Sequence, residues 1–120
     1  MGQRTQYRQR FLVSQRDSIK PVPVEEIAYF YSENKVTRLV RTDGVWFAIG
    51  ETLEEVGEQV DPRRFFRANR QVLVRIESVV TVHKYFNGKL KLTLNPVLSG
   101  EVVVSRERAD SFRAWLSGSV

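Results

Sequence analysis

Apolar positions along this chain recur mostly at strand spacing, and helical spacing is confined to two short stretches. Phe11-Leu12-Val13 is a brief apolar run. Residues 26–34, EIAYFYSEN, are rich in β-formers and close on turn residues. Residues 35–50 hold Asp43-Gly44 between two β-branched or aromatic runs, a strong hairpin signal. Residues 84–94 repeat that signal with Asn87-Gly88. In the second arm Leu90, Leu92 and Leu94 alternate with Lys89, Lys91 and Thr93, the pattern of a half-buried strand. Residues 96–105 offer another turn at Ser99-Gly100, and Pro96 argues against a central strand position.

The helical stretches carry start and stop signals. Thr52 with Glu55 three residues on is a capping-box pattern. Leu53, Val56 and Val60 follow on one face, Gly57 weakens the helix, and Asp61-Pro62 ends it early. A second helix is predicted from Ser105 as N-cap, with Ala109, Phe112, Trp115 and Leu116 as its stripe and Gly118 as its stop. The pattern predicts a mainly β fold with a short mid-chain helix and a C-terminal helix. Trp46, Phe47, Phe112 and Trp115 are assigned to its core. Residues 1–10 are polar and read as a flexible linker or tail, leaving 11–120 as one domain.

Composition narrows the function classes. Of 120 residues, 42% are hydrophobic, which suits a globular domain. No apolar stretch approaches the roughly 18–20 residues of a membrane helix. The N-terminus has no apolar run of the kind a secretory signal needs. Cysteine is absent, which removes disulfides, thiolate zinc sites and thiol catalysis. A cytoplasmic protein is therefore expected. His83 is the single histidine and reads as a strand-surface residue. No catalytic or phosphate-loop motif occurs, and Glu54, Glu55 and Glu58 read as the solvent face of the first helix. Neither an enzyme nor a cofactor is expected.

Charge changes the picture more. The net charge is +5, with an isoelectric point near 9.9. Arg4, Arg8 and Arg10 in the tail account for three of these charges. The remainder is sharply segregated. Residues 51–61 hold Glu51, Glu54, Glu55, Glu58 and Asp61 without a base, and residues 63–75 hold five arginines without an acid. A chain that switches sign so abruptly is expected to have one repelling and one attracting face, and a basic patch suits a polyanion.

The arginines are set among core-forming residues. In FFRANRQVLVRIESV, residues 65–79, the aromatic and aliphatic side chains are expected to anchor a strand and a turn, and the arginines to project from it at fixed positions. Arginine offers a planar fork that suits phosphate and the O6/N7 edge of guanine, and Asn69 can pair with adenine or phosphate. Arg67 has an alternative role as partner to Glu77 or to an acid of the first helix. Arg106 falls in the first turn of a helix, where the macrodipole disfavours a cation, so its placement calls for a reason other than stability.

Four blocks are jointly recognisable: IAYFYSENKVTRLVRTDG (27–44), TLEEVGEQVDPRRFFRANRQVLVRIESVVTV (52–82), NGKLKLTL (87–94) and VVVSRERADSFRAWL (102–116). In order and spacing they resemble the LytTR-type DNA-binding domain, the output domain of many bacterial two-component response regulators. The resemblance covers about residues 11–117. It implies an elongated arrangement of antiparallel β-strands that docks loops, not a recognition helix, into DNA major grooves. It further implies base reading by Thr37, Asn69, Arg70 and Arg106, and phosphate contacts from Lys35, Arg67, Ser105 and Arg108. Arg75 stands where many relatives have asparagine. The partners implied are double-stranded DNA, a second copy on a repeated site, and a receiver domain or sensor kinase upstream. The competing expectation is a protein-interaction module that uses exposed strands and a basic face; RNA binding is disfavoured because FFRANRQV lacks the glycine–aromatic spacing of an RNA-recognition strand.

Overall fold

The computed structural model describes residues 6–118. Residues 1–5 of the expected tail lie outside the described residues. Arg8 lies against the body of the domain: its backbone N–H donates to the Gln59 carbonyl at 2.8 Å, and its guanidinium reaches Glu51 Oε2 at 2.5 Å.

Strands β1 (Arg10–Gln15) and β2 (Ser18–Pro23) form an antiparallel hairpin. β2 carries Pro21 and Pro23, so strand propensity alone did not reveal it. It pairs with one neighbour only, and an edge strand tolerates the missing N–H groups. β3 (Ile27–Glu33), β4 (Val36–Arg41) and β5 (Trp46–Ile49) form a meander. Helix α1 (Leu53–Gln59) follows, then β6 (Phe65–Arg67) and β7 (Val72–Arg75). These five strands make one antiparallel sheet in the order β5-β4-β3-β7-β6. β8 (Val79–Lys84), β9 (Leu90–Leu94) and β10 (Val102–Val104) form a three-stranded antiparallel sheet, and α2 (Arg106–Ser117) closes the chain. The molecule is a flattened body of 48 × 39 × 23 Å.

The five-stranded sheet is buried on both faces, which explains why its central strands read as apolar runs instead of alternating. One face sends Phe30, Leu39 and Leu73 against Phe11 and Val13 of β1 and Leu53 and Val56 of α1. The other sends Tyr29, Val40, Val72 and Val74 against Leu90, Leu92 and Leu94 of β9 and Phe112 and Trp115 of α2. β9 has a single buried face, so it keeps the strict alternation seen in the sequence. Burial pushes the Tyr29 hydroxyl up to about 12, with nearby Tyr31 adding to the shift. That hydroxyl donates to the Pro96 carbonyl at 2.9 Å.

Local signals held where the interactions are local. The capping box of α1 forms in both directions: Glu55 N–H donates to Thr52 Oγ1 at 3.1 Å and Thr52 N–H to Glu55 Oε1 at 2.9 Å. α2 ends on Gly118 in the left-handed conformation. His83 is exposed on β8, bonded to Thr93 at 3.1 Å. Among the four aromatics assigned to the core, Trp46 departs. It is 50% exposed, lying over the Arg38 guanidinium at 4.3 Å. The packing that buries Val40, its partner on the same face, does not extend over Trp46.

Candidate nucleic-acid interface

Four connections meet at one end of the molecule. The β3–β4 turn has Asn34 and Lys35 at positive φ, 53° and 65°, as a two-residue hairpin of the I′ kind requires. Lys35 is exposed there. β3 ends beside the start of β7, since Tyr31 pairs with Val72 and Ser32 N–H donates to the Gln71 carbonyl at 2.8 Å. The β3–β4 turn therefore adjoins the β6–β7 loop.

That loop, residues 68–71, is fixed from three sides. Ala68 is fully buried, and its N–H donates to the Val72 carbonyl at 2.9 Å. The Asn69 side chain accepts from Gln71 N–H at 2.8 Å and donates to the Val103 carbonyl of β10 at 3.0 Å. Arg67 turns its guanidinium inward, with Nε donating to the Asn69 carbonyl at 2.7 Å and Nη2 to the Arg70 carbonyl at 2.5 Å. Nη2 also lies 3.5 Å from Glu54 of α1. Arg70 projects from this braced loop, exposed and without an ion pair among the described residues.

The β8–β9 hairpin and the start of α2 complete the site. Asn87 and Gly88 both have positive φ, and Tyr85 N–H closes the hairpin onto the Lys89 carbonyl at 2.9 Å. Lys89 lies over the Phe86 ring at 4.5 Å. The Arg106 side chain passes across Gly88 so closely that a Cβ there would fall 2.9 Å from Arg106 Cγ. Glycine is thus favoured both by φ and by this approach, since any side chain there would be strained and would displace that of Arg106. Ser105 is the N-cap of α2, but its side chain makes no capping bond. Arg106 is 71% exposed, with Glu107 at 4.0 Å its nearest acid. Arg108 Nη2 donates to the Arg67 carbonyl at 2.5 Å and its guanidinium covers Phe66 at 5.2 Å.

Arg67, Asn69, Arg70, Lys89, Ser105 and Arg108 line one open concavity of about 450 Å³, with Glu54 as its single acid. Arg106 borders it through its packing on Gly88. The end of β3 joins through a second, smaller hollow shared by Ser32, Glu33, Asn69 and Gln71. Arg70 and Arg106 therefore lie on the same side of the molecule, and among the described residues neither guanidinium is hydrogen-bonded to a carboxylate, Glu107 standing 4.0 Å from Arg106. Lys35 belongs to the same end.

Thr37 is placed differently. It is 6% exposed inside β4, paired with Ser32 and Ile49, so its side chain is buried beneath the turn. The amide of Asn69 is engaged on both sides, by Gln71 N–H within the loop and by the Val103 carbonyl of β10. Arg75 is 7% exposed; its Nε donates to the Ile27 carbonyl at 2.6 Å and its Nη1 reaches Glu77 at 2.6 Å. The arginine block of the sequence therefore divides into members that hold the fold and members that face solvent. Lys89 and Gly88 were not singled out from the sequence as site residues. The signal was present in the Asn-Gly turn followed by a lysine, but the approach of α2 to that turn is a tertiary fact.

Comparison with known proteins gives a consistent picture. The family model described as the LytTr DNA-binding domain matches residues 17–117. An uncharacterized response regulatory protein of Vibrio cholerae serotype O1 is 26% identical over 88 residues, covering 71% of this chain and 34% of that protein. The chain thus spans about a third of that relative's length. The solved LytTr DNA-binding domain of a Bacillus cereus protein described as a methyl-accepting/DNA response regulator superposes with a TM-score of 0.76, at 19% identity, over 91% of this chain and 97% of that one. At that identity the likeness is one of fold.

Proposed function

The chain belongs to the LytTr DNA-binding domain family, and from that premise we propose that it binds double-stranded DNA sequence-specifically, as the transcription-regulating output domain of a two-component response regulator. One observation carries the reading. Arg70 lines and Arg106 borders a single concavity, on connections held by packing and hydrogen bonds, and neither guanidinium is hydrogen-bonded to a carboxylate among the described residues. A guanidinium held in register can present its fork to the O6 and N7 atoms of guanine in the major groove. In this reading Arg70 and Arg106 read bases. Lys35, Lys89, Ser105 and Arg108 hold phosphates and set register. Asn69 and Thr37 contribute through the shape of the turns they support. Two copies occupy a repeated site, and a receiver domain or sensor kinase acts upstream. No helix of the described residues is long and apolar enough to cross a membrane, and the site of action proposed is the cytoplasm.

The test is a selection from random duplexes, followed by anisotropy titrations at several salt concentrations. Affinity should fall by about 0.9 log unit per log unit of salt for each phosphate neutralised. Arg70→Ala and Arg106→Ala should each cost about 1–3 kcal/mol and relax preference at different base pairs. Unchanged preference in both variants defeats the assignment. Binding no tighter than roughly 10⁻⁴ M, weaker than ordinary non-specific affinity, turns the reading toward a protein-interaction module.

A further inference from the structure

We propose that Arg67 is a positioning residue that braces the base-reading loop from within, and not a phosphate contact; this inference rests on the DNA-binding reading above. The position of its guanidinium carries the argument. Arg67 lies at the end of β6 and reaches forward into the loop that follows, donating to the Asn69 carbonyl at 2.7 Å and to the Arg70 carbonyl at 2.5 Å. Those two carbonyls belong to a loop that leaves the sheet ladder, so strand pairing cannot satisfy them. A fork of donors on one rigid plane fits two successive carbonyls, and a lysine ammonium does not. Glu54 of α1 lies 3.5 Å from the same guanidinium, and Arg108 holds the Arg67 carbonyl at 2.5 Å. The loop is thus tied through Arg67 to α1 and to the start of α2.

The consequence concerns how affinity and preference divide. A phosphate contact strengthens every duplex alike and adds to the salt dependence. A brace leaves non-specific attraction intact and acts on the orientation of Arg70, so it matters only when a base edge must be met. Arg67 spends its Nε and Nη2 donors inside the protein, on carbonyls that would lose their partners if it swung out to a phosphate.

The experiment compares Arg67→Ala and Arg67→Lys with the unaltered chain, on a selected duplex and on a scrambled one, across a salt series. Both variants are expected to lose about tenfold on the selected duplex, to stay within about twofold on the scrambled one, and to keep the salt slope. Lysine retains the charge and so serves as the control for it; if alanine at this site fails to fold, the lysine variant alone decides. A salt slope reduced by about 0.9 in Arg67→Ala, equal losses on both duplexes, and recovery in Arg67→Lys overturn the proposal. Amide exchange of residues 68–72 without DNA gives a readout that does not depend on the function. Exchange faster than in the unaltered chain in Arg67→Lys supports the brace, and unchanged exchange removes it, even if the chain proves to bind no preferred sequence.

Discussion

The arginines of the α1–β6 connection and those of the concavity share a residue type and little else. Arg63 is bonded to Asp61 at 3.0 Å and Arg64 faces Glu25 at 3.3 Å. Arg41, the last residue of β4, is likewise bonded to Asp43. Among the described residues Arg70 has no such partner, and Arg106 has only its neighbour Glu107, at 4.0 Å, with no hydrogen bond between them. The lesson is that a basic count does not locate a basic surface; pairing does. Much of the pairing is local. Arg41 with Asp43, Asp61 with Arg63, and Arg75 with Glu77 are all two residues apart, whereas Arg70 is flanked at that spacing by Ala68 and Val72, and Arg106 by Val104 and Arg108.

The sharpest way to break this comparison is to exchange the expected losses. Arg75→Ala strips the Ile27 carbonyl of a charged donor and leaves a hole in a buried site, so it should cost about 2–3 kcal/mol of stability in urea unfolding. Its DNA affinity, measured where the variant is folded, should be unchanged. A result in which Arg75→Ala folds normally but loses DNA preference would reverse the roles of Arg75 and Arg70.

Gly88→Ala probes the supports of the solvent-facing set. The alanine Cβ meets Arg106 Cγ at 2.9 Å and sits at φ +76°. Stability should fall by about 1 kcal/mol from the backbone. Preference should relax at the same base pairs that respond to Arg106→Ala, as read by selection. Relaxation at the base pairs assigned to Arg70 would separate the β8–β9 hairpin from α2 as a unit.

The smallest effect belongs to the paired set. Arg63→Ala should leave affinity within about twofold and the salt slope unaltered, since an exposed, paired cation adds little. The Arg63 guanidinium, bonded to the Asp61 carboxyl, holds it below its usual range. A carboxyl depressed in the folded state stabilises above its unfolded value, and that contribution is lost as pH falls through the folded value. The variant should therefore lose less stability on acidification than the unaltered chain, which acid titration followed by circular dichroism will read. A reduced salt slope would show that Arg63 leaves Asp61 for DNA.

Element identity was legible because its causes are local. The Asp43-Gly44 and Asn87-Gly88 turns, the leucine alternation of β9, the capping box of α1 and the stop at Gly118 each act within a few residues. β2 escaped because its two prolines are acceptable only in a strand with one partner, and partner number is not a local property. Segregation of charge located the basic stretch, and two-residue spacing marks several of its neutralised arginines.

By itself the sequence determined most of the strands, both α-helices and the stretch that bears unbalanced cations, because periodicity, turn chemistry and near-neighbour charge are written within short windows. Tertiary structure decided that Thr37 lies inside β4, that the Asn69 amide is held by Val103 and that Arg67 faces Glu54. It also decided that Gly88 makes room for Arg106. The last three join a strand or turn of one sheet to a different sheet or to a helix, and Thr37 is enclosed by neighbouring strands of its own sheet. Strand pairing and the packing of both faces of the five-stranded sheet bring these residues together, and no short window of sequence contains that information.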